Sequence, residues 1–393
     1  MEAVELHLQP SLELPPHYHT TKNIPHALLP TLIHAFQLSA PKFSDIFNRL
    51  KPNLLIYDVF QPWAAKLASS QGIPAVLFSV VGSVNFSFAH HYHMHQSCRD
   101  TLYPYPAIFL HDYEISSPEE TYETLIEDAD EGYLHGVFKL SCDIVLIKSC
   151  GMGVDGKYID HLSTLCQRRI VSVGSLIHHE TSTDSWIMNW LSKKIKSSTL
   201  YISFGSENYF SKEQIQEIAK GLELSKVNFI WVARSPAGGD DIINVEEALP
   251  EGFLDRAKER GVLVQEWAPQ AAILASRAVG GFMSHCGWNS IVETVYFGVP
   301  VVAMPLKLDQ PLHSRLVVEA GFGVEVVRDE KGKFDGEGVV RAIDEVMLGE
   351  SGERLRRRVR ELREKLKAEE EEAVCGVVEE LSRLCTKKSS TSS

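Results

Sequence analysis

Short apolar runs alternate with amphipathic stretches along most of the chain. In the first half, "NLLIYDVFQPWAAKLASSQGIPAVLFSVV" (residues 53–81) contains an apolar run, a helix-like segment that ends at Gly72, and a second apolar run. This pattern predicts a strand–helix–strand unit. "DIVLIKSC" (143–150) and "RIVSVGS" (169–175) predict two further short strands.

The second half repeats the alternation more regularly. Strands are predicted at residues 199–207, 228–234, 261–267, 278–284 and 299–305. Helices are predicted at 212–225, 269–276, 289–297 and 310–320, and a long amphipathic helix from Glu353 onward. Nearly continuous apolar strands separated by helices are typical of a parallel sheet that is covered on both faces.

A polar, turn-rich stretch separates the two halves. "IHHETSTDS" (177–185) predicts a linker between an N-terminal domain at 1–176 and a C-terminal domain at 186–393. A chain of 393 residues is long enough for two domains with cores of their own.

Composition narrows the class of protein. Hydrophobic residues make up 44% of the chain, as in a globular protein, and the formal net charge of −13 argues against a general nucleic-acid or anionic-membrane surface. The seven cysteines form no C-x-x-C pair, which predicts reduced thiols, a cytoplasmic protein and no zinc site. With no signal-peptide pattern and no apolar window of about 18 residues, we expect no membrane span.

The clearest candidate site is the junction "FMSHCGWNSIVETVYFGVP" (282–300), where a predicted strand turns into a helix. Unpaired backbone N–H groups and the helix dipole make such a junction an anion site, and phosphate is its usual ligand. His285, Asn289 and Ser290 add donors there. Glu293 follows Asn289 by four residues on the same helix face, where its carboxylate suits the hydroxyls of a ribose.

Neighbouring strand ends add residues with matching chemistry. Trp267 offers a flat ring for a base, and Asp309 and Gln310 suit the hydroxyls of a sugar. Trp267, Asp309, His285 and Ser206 all fall at the carboxyl ends of predicted strands. Ligands of such sheets bind beyond these ends. Each residue alone has an ordinary explanation as a core or capping residue. Their occurrence together favours a nucleotide sugar.

These residues also carry a family resemblance. "WAPQAAILASRAVGGFMSHCGWNSIVETVYFGVPVVAMPLKLDQ" (267–310) closely resembles the signature box of the plant UDP-dependent glycosyltransferases of secondary metabolism. "LLIYDVFQPWA" resembles the family's N-domain strand with a catalytic Asp, and "YISFGS" its first C-domain strand. In detail the chain is most similar to the branch that glycosylates the sugar of flavonoid or terpenoid glycosides.

The resemblance implies an α/β fold of two facing Rossmann-like domains, the glycosyltransferase B type, with an incomplete N-terminal domain. Residues 1–176 would bind the acceptor and 186–393 the UDP-sugar, with the C-terminal helix packing back on the first domain. The donor-binding residues that it implies are Ser206, Trp267, Ala268, Gln270, His285, Trp288, Asn289, Ser290, Glu293, Asp309 and Gln310.

Individual roles follow from the same resemblance. Trp267 stacks on uracil, Gln270 and Glu293 hold the nucleoside, and Gln310 is associated in the family with glucose donors. The diphosphate is held by His285, Asn289, Ser290 and Ser206, and the sugar is faced by Trp288, Asp309 and Gln310.

The implied reaction is direct displacement with inversion at the anomeric carbon. A His base oriented by an Asp takes the proton of the acceptor hydroxyl, without a metal or a cofactor. Asp58 matches that Asp, and a loop carboxylate capping the next helix is its alternative. The expected partners are UDP-glucose as co-substrate and a small-molecule acceptor, and the protein is expected to be a monomer.

The family's catalytic His lies in a G-H-x-x-P turn, which this sequence does not contain. The opening segment resembles the family well inside its N domain, and His17 and His19 read as loop residues. The chain is therefore expected to be a piece of a longer enzyme or a relative with weakened activity. A non-catalytic protein that binds UDP-sugars is the alternative function.

Two other motifs suggest different chemistry. Gly151, Gly153 and Gly156 form a G-x-G-x-x-G pattern between a predicted strand and helix, as in dinucleotide-binding oxidoreductases. The pattern does not open a domain, and we disfavour this interpretation. The run "HHYHMH" (90–95) could suggest a metal site, but helical spacing scatters its side chains around the axis.

Overall fold

The computed structural model describes residues 3–20, 24–25, 28–95, 102–115, 133–178, 186–206, 208–233 and 244–390. Its strands form two parallel sheets. The strands are β1 Leu55–Tyr57, β2 Ala75–Ser79, β3 Ile144–Ile147, β4 Arg169–Ser172, β5 Thr199–Ser203, β6 Asn228–Val232, β7 Gly261–Val264, β8 Val279–Ser284, β9 Val301–Ala303 and β10 Gly323–Glu325.

Helices connect and cover the strands. They are α1 Leu29–Gln37, α2 Ala40–Leu50, α3 Pro62–Ser70, α4 Ser83–Met94, α5 Tyr133–Leu140, α6 Met152–Cys166, α7 Trp186–Ser192, α8 Lys212–Ser225, α9 Val245–Ala248, α10 Phe253–Ala257, α11 Gln270–Ala275, α12 Trp288–Phe297, α13 Gln310–Glu319, α14 Gly336–Met347 and α15 Gly349–Ser390. Two short 3-10 helices lie at Pro16–Tyr18 and Asp112–Glu114.

The first sheet has the order β1-β2-β3-β4, and all of its pairs are parallel. The strand–helix–strand unit predicted at 53–81 forms β1, α3 and β2. The fully apolar strand β3 lies between β2 and β4 and is buried along its whole length. This burial explains why its sequence shows no alternation of apolar and polar residues.

The second sheet has the order β10-β9-β8-β5-β6-β7. Counted from its own first strand, this is the 3-2-1-4-5-6 order of dinucleotide-binding sheets. The two halves of the sheet diverge between β5 and β8. These strands are neighbours in space, although the paired residues Ser203 and Ser284 are 81 positions apart in sequence. The predicted Rossmann-like fold is confirmed here.

Successive side chains of β5 point into two different cores. Leu200 and Ile202 pack with α8 and α14, whereas Tyr201 packs with α7 and α11 on the opposite face. A strand that is buried on both faces needs apolar residues at successive positions, as Leu200, Tyr201 and Ile202 provide here. Both faces of the sheet are therefore covered by helices.

The long helix α15 joins the two halves of the molecule. Its residues Leu362 and Leu366 share a core with α6 and α12. Further along, Leu384 packs among strand residues of the first sheet. The predicted linker 177–185 lies mostly outside the described residues, and the bounds of the two domains remain a prediction.

The G-x-G-x-x-G segment does begin a helix after a strand, but a carboxylate lies at the start of that helix. Gly151, with a φ of 101°, is the N-cap of α6, and the backbone N–H of Met152 donates to Glu369 Oε2 of α15 at 2.9 Å. Leu362 and Leu366 pack against the glycines. The tail helix therefore covers the surface that a dinucleotide would need.

The histidine run lies on α4. His90 and His91 are buried, and the described residues contain no cluster of three or more His, Cys, Asp or Glu side chains that could hold a metal ion. None of the described helices is long and apolar enough to cross a membrane.

Candidate active site

The carboxyl ends of β5 and β8 define a crevice at the point where the second sheet changes direction. Ser206 follows β5 and is exposed, and His285 follows β8 directly. Sheets of this topology bind their ligands at this point. The first helix to leave the crevice after β8 is α12.

The N-terminus of α12 lies at this crevice and carries the backbone N–H donors of the first helical turn. Gly287 is the N-cap, and a Cβ there would lie 2.5 Å from His285 Nε2, so the close packing of the imidazole requires glycine. The N–H groups of Trp288, Asn289 and Ser290 form the first turn and have no partner within the helix. Together with the helix dipole they favour an anion.

His285 borders this turn as a neutral imidazole. Burial lowers its pKa to about 4, although a hydrogen bond with the backbone of Ser203 opposes the shift. Its buried Nδ1 has no hydrogen-bond partner in the described part of the chain. A neutral imidazole has one donor and one acceptor nitrogen, so it adds no charge to the site.

Gln270 and Glu293 are held together beside the same turn. Gln270 Nε2 donates to Glu293 Oε2 at 2.6 Å and to Ser290 Oγ at 3.4 Å. The hydroxyl of Tyr201 donates to Gln270 Oε1 at 3.3 Å. The carboxylate predicted for the ribose therefore lies next to the anion site, one helical turn further along α12.

Trp267 lies after β7, at the other side of the crevice. Its ring is 65% exposed, while Ala268 behind it is buried. A large aromatic ring that a protein leaves exposed beside polar groups is a common stacking surface for a ligand.

The loop after β9 places Asp309 and Gln310. Gln310 Oε1 accepts the backbone N–H groups of Leu306 and Lys307 at 3.0 and 3.1 Å. Its amide nitrogen is therefore the group that can still donate to a ligand. The backbone of Leu308 has a φ of 58°, which is uncommon for a residue other than glycine. The two hydrogen bonds from Leu306 and Lys307 to Gln310 help to hold this conformation.

Trp288 differs from the expectation that it faces the sugar. Its ring is only 4% exposed and lies 4.9 Å from the ring of His313. The indole N–H donates to the carbonyl of Lys148 at 2.9 Å. The side chain thus joins the two halves of the molecule, and the residue can reach an anion only through its backbone N–H.

Asp58 directly follows β1. Its Oδ1 accepts the N–H of Phe60 at 3.1 Å, and its own N–H donates to Gln61 Oε1 at 3.0 Å. Gln61, rather than Asp58, is the N-cap of α3, so the predicted alternative of a helix cap does not apply. Burial raises the pKa of the Asp58 carboxyl.

One residue of the site was not predicted from the sequence. Lys148 Nζ donates to Asn289 Oδ1 at 2.8 Å, although the two residues are 141 positions apart. The available signal was a lysine placed immediately after a fully apolar strand.

Comparison with known proteins identifies a family model and relatives that match this chain. A family model described as UDP-glucoronosyl and UDP-glucosyl transferase matches residues 187–356. UDP-glucosyltransferase 29 of Panax ginseng is 44% identical over 99% of this chain and 86% of its own length. Beta-D-glucosyl crocetin beta-1,6-glucosyltransferase of Gardenia jasminoides is 41% identical over 100% of this chain and 88% of its own.

A solved structure agrees with the fold. UGT73P12 of Glycyrrhiza uralensis, complexed with glycyrrhetinic acid 3-O-monoglucuronide, matches with a TM-score of 0.82 at 27% identity. The match covers 98% of this chain and 85% of the other.

Two parallel sheets joined by a C-terminal helix, with an anion site at the switch point of the second sheet, define a glycosyltransferase of the B type. The identity and coverage of the relatives then assign the family. The chain belongs to the UDP-glycosyltransferases, enzymes that transfer a sugar from a UDP-sugar to a small-molecule acceptor.

Proposed function

We propose that this enzyme transfers glucose from UDP-glucose to a hydroxyl of a small plant metabolite that already carries a sugar, with inversion at the anomeric carbon. The main observation in support is the group at the switch point: free N–H groups of α12, the Gln270–Glu293 pair beside them and the exposed ring of Trp267. These groups match the order of phosphate, ribose and base in a nucleotide.

The proposed donor contacts follow this order. Trp267 and Ala268 contact uracil, Gln270 and Glu293 contact the nucleoside, and Gln310 donates to the glucose through its amide nitrogen. The diphosphate is assigned to Ser206, His285, Asn289, Ser290 and the backbone of Trp288, and Asp309 is assigned to the sugar hydroxyls.

In the proposed reaction, the acceptor oxygen attacks the anomeric carbon as the bond from that carbon to the UDP oxygen breaks. The electron pair of the broken bond leaves with UDP, and the α12 N-terminus stabilises the growing negative charge. A general base takes the proton of the hydroxyl, and Asp58 is proposed as the carboxylate that orients this base. No step uses a metal or a cofactor.

The acceptor class rests on the relatives. The Gardenia enzyme is named for a glucosyl crocetin, and the Glycyrrhiza enzyme was crystallised with a monoglucuronide. Both molecules are glycosides, and the sequence itself resembles the branch that extends such sugars. We therefore propose a glycoside acceptor.

We further propose that the enzyme acts as a cytoplasmic monomer, with acceptor binding by residues 1–176 and donor binding by 186–393. The six cysteines of the described residues are all free, which fits a reducing compartment. Light scattering after gel filtration tests the monomer, since a mass near twice 44.0 kDa would contradict it.

Replacement of Glu293 tests the donor site. We expect Glu293→Ala to weaken UDP binding by about tenfold or more, because two ribose hydroxyls lose a charged acceptor. Titration calorimetry measures the change. Glu361→Ala, which removes a carboxylate from the surface of α15, is the matched control. Equal UDP affinity in both variants would contradict the assignment of the site.

Turnover tests the reaction. Incubation with UDP-glucose and a panel of monoglycosides should release UDP and yield a disaccharide glycoside with a β linkage. We expect Asp58→Asn to lower kcat with little change in UDP affinity. UDP binding without transfer to any acceptor would instead favour the non-catalytic UDP-sugar-binding protein.

A further inference from the structure

Lys148 lies directly after β3, at the carboxyl edge of the first sheet. Its backbone is fixed on both sides, because its N–H donates to the carbonyl of Ser79 at 2.9 Å and its carbonyl accepts the indole N–H of Trp288 at 2.9 Å. Trp288 is the first residue of α12. The first sheet therefore holds this lysine against the helix that borders the anion site of the second.

The side chain is buried and has little compensation for its charge. Lys148 is 8% exposed, and Nζ donates to Asn289 Oδ1 at 2.8 Å. Among the described residues this nitrogen forms no ion pair within 4.0 Å, and the charge of Glu293 favours the ammonium without offsetting its burial. Burial accordingly lowers the pKa of the ammonium. An ammonium has three N–H donors, so it retains capacity for a ligand.

The contact also fixes the orientation of Asn289. A lysine can only donate, so the amide oxygen of Asn289 faces it and the amide nitrogen faces elsewhere. Asn289 is exposed. Its NH₂ group, the ammonium of Lys148 and the N–H groups of the first turn of α12 are all donors. This combination is complementary to an anion with several oxygens.

We infer that Lys148 is a donor-binding residue contributed by the first sheet, which pairs with the diphosphate of the UDP-sugar opposite the N-terminus of α12. The inference rests on the proposed function, since it extends the same site. The diphosphate is thereby held from both halves of the molecule. As UDP leaves, the ammonium also stabilises the charge that develops on the diphosphate.

A purely structural lysine would behave differently from a donor-binding one. If Lys148 serves only to join the two halves, its removal destabilises the free protein. If it is kept for an anion, the free protein carries a buried charge without a carboxylate partner, and an apolar side chain of similar length leaves it equally or more stable. The Tm of the free protein therefore falls only if the role is purely structural.

The experiment compares UDP with uridine, which lacks the phosphates. For Lys148→Met we expect UDP binding to weaken by about 10- to 100-fold, the value of a charge-assisted hydrogen bond, as measured by calorimetry. Uridine binding, measured by competition, should stay within about twofold, and the Tm of the free protein should not fall. Lys148→Arg should retain part of the UDP affinity because it keeps the charge.

Lys157→Met is the matched control. Lys157 lies on α6 of the same half and pairs with Glu319 of α13, so its replacement also removes a cationic contact between the two halves. None of the proposed donor contacts involves Lys157. We expect UDP affinity within about twofold of the wild type for this variant.

Two results would overturn the inference: unchanged UDP affinity in Lys148→Met, or an equal loss for UDP and uridine together with a lower Tm. If the wild type does not bind UDP at all, the proposed function fails and the inference fails with it. Wild-type binding with an unaffected Lys148→Met variant rejects the role of the lysine alone.

Discussion

Asp155 is a carboxyl group with no exposed surface. It accepts hydrogen bonds from Ser149 Oγ at 2.7 Å and from Ser83 Oγ at 3.3 Å. Burial is the main cause that raises its pKa to about 7, and the two hydroxyls partly oppose the shift. Near neutral pH the folded protein therefore holds a proton that the unfolded chain has released.

This proton gives a pH dependence whose sign is defined. The folded pKa is above the unfolded value of about 3.9, so the contribution of Asp155 is complete below about pH 4 and is lost as the pH rises to 7. In that range the slope reaches about 1.4 kcal/mol per pH unit. We expect Asp155→Asn, which resembles the protonated acid, to remove this slope.

The measurement is the free energy of unfolding in urea at pH 5, 6, 7 and 8 for both proteins, and the informative quantity is their difference. Burial lowers the pKa of His90 and His285 to about 4, so these residues make stability rise with pH below about pH 6.5. Both proteins contain these histidines, so their effect cancels in the difference. Parallel stability curves would mean that Asp155 titrates normally in the folded protein.

At the level of single residues, the sequence predicted where strands end better than which side chains meet. The strand ends at Trp267 and His285 could be predicted because each apolar run stops abruptly before a helix. The burial of Trp288 and its bond to Lys148 could not, since the partner belongs to a distant strand. A tryptophan in a binding motif looks the same in sequence whether its ring faces a ligand or a core.

Among the elements, α13 carries a buried arginine that forms ion pairs with two carboxylates. Arg315 is 6% exposed and donates through Nη2 to both carboxylate oxygens of Glu114 at 2.8 Å. Its Nη1 donates to Glu325 of β10, and Phe109 lies against the guanidinium at 5.0 Å. The helix thereby connects the segment at 102–115 to the second sheet.

Removal of this arginine leaves two acidic groups without their cation. We expect Arg315→Met to reduce the free energy of unfolding by about 3 to 5 kcal/mol, as is usual when one partner of a buried ion pair is lost. Denaturant unfolding measures the loss, with Arg354→Met on the exposed side of α15 as control. Adding Glu114→Gln and Glu325→Gln should restore much of the stability. A loss below about 1 kcal/mol would mean that solvent reaches the cluster.

Amphipathic helices with a clear period could be bounded from the sequence, whereas a buried helix without one could not. The pattern at 212–225 matches α8 residue for residue, because this helix has one buried and one exposed face. The helix α4 is buried on several sides, including Phe86, His90 and His91, so its sequence carries no helical period. No bounds were predicted for this helix, and helical spacing served only to argue against a metal site at its histidines.

At the scale of the whole molecule, the two halves are connected by several independent contacts. Lys148 and Trp288 join them at the crevice, and Arg315 and Glu114 join them beside it. The helix α15 begins against the second sheet and ends against the first. The apolar pattern predicted an amphipathic helix here. Its packing back on the first domain was implied by the family resemblance and not by the pattern.

The last turns of α15 give the sharpest test of this connection. Leu384 is 3% exposed and packs among Val76, Ile144 and Leu146 of the first sheet. We expect Leu384→Ala to cost about 2 to 5 kcal/mol, because it leaves a cavity between helix and sheet. Val378→Ala on the same helix, where the side chain is 58% exposed, should change stability by less than about 0.5 kcal/mol.

Thermal unfolding with and without UDP distinguishes the two halves. In Leu384→Ala, the half with the first sheet should unfold before the half with the second sheet. UDP is proposed to bind mainly to the second sheet, so UDP should raise the temperature of the first transition less than that of the second. One shared transition that shifts as a whole would show that the halves unfold together. Equal stability of the Leu384 and Val378 variants would mean that the end of α15 does not hold the first sheet in solution.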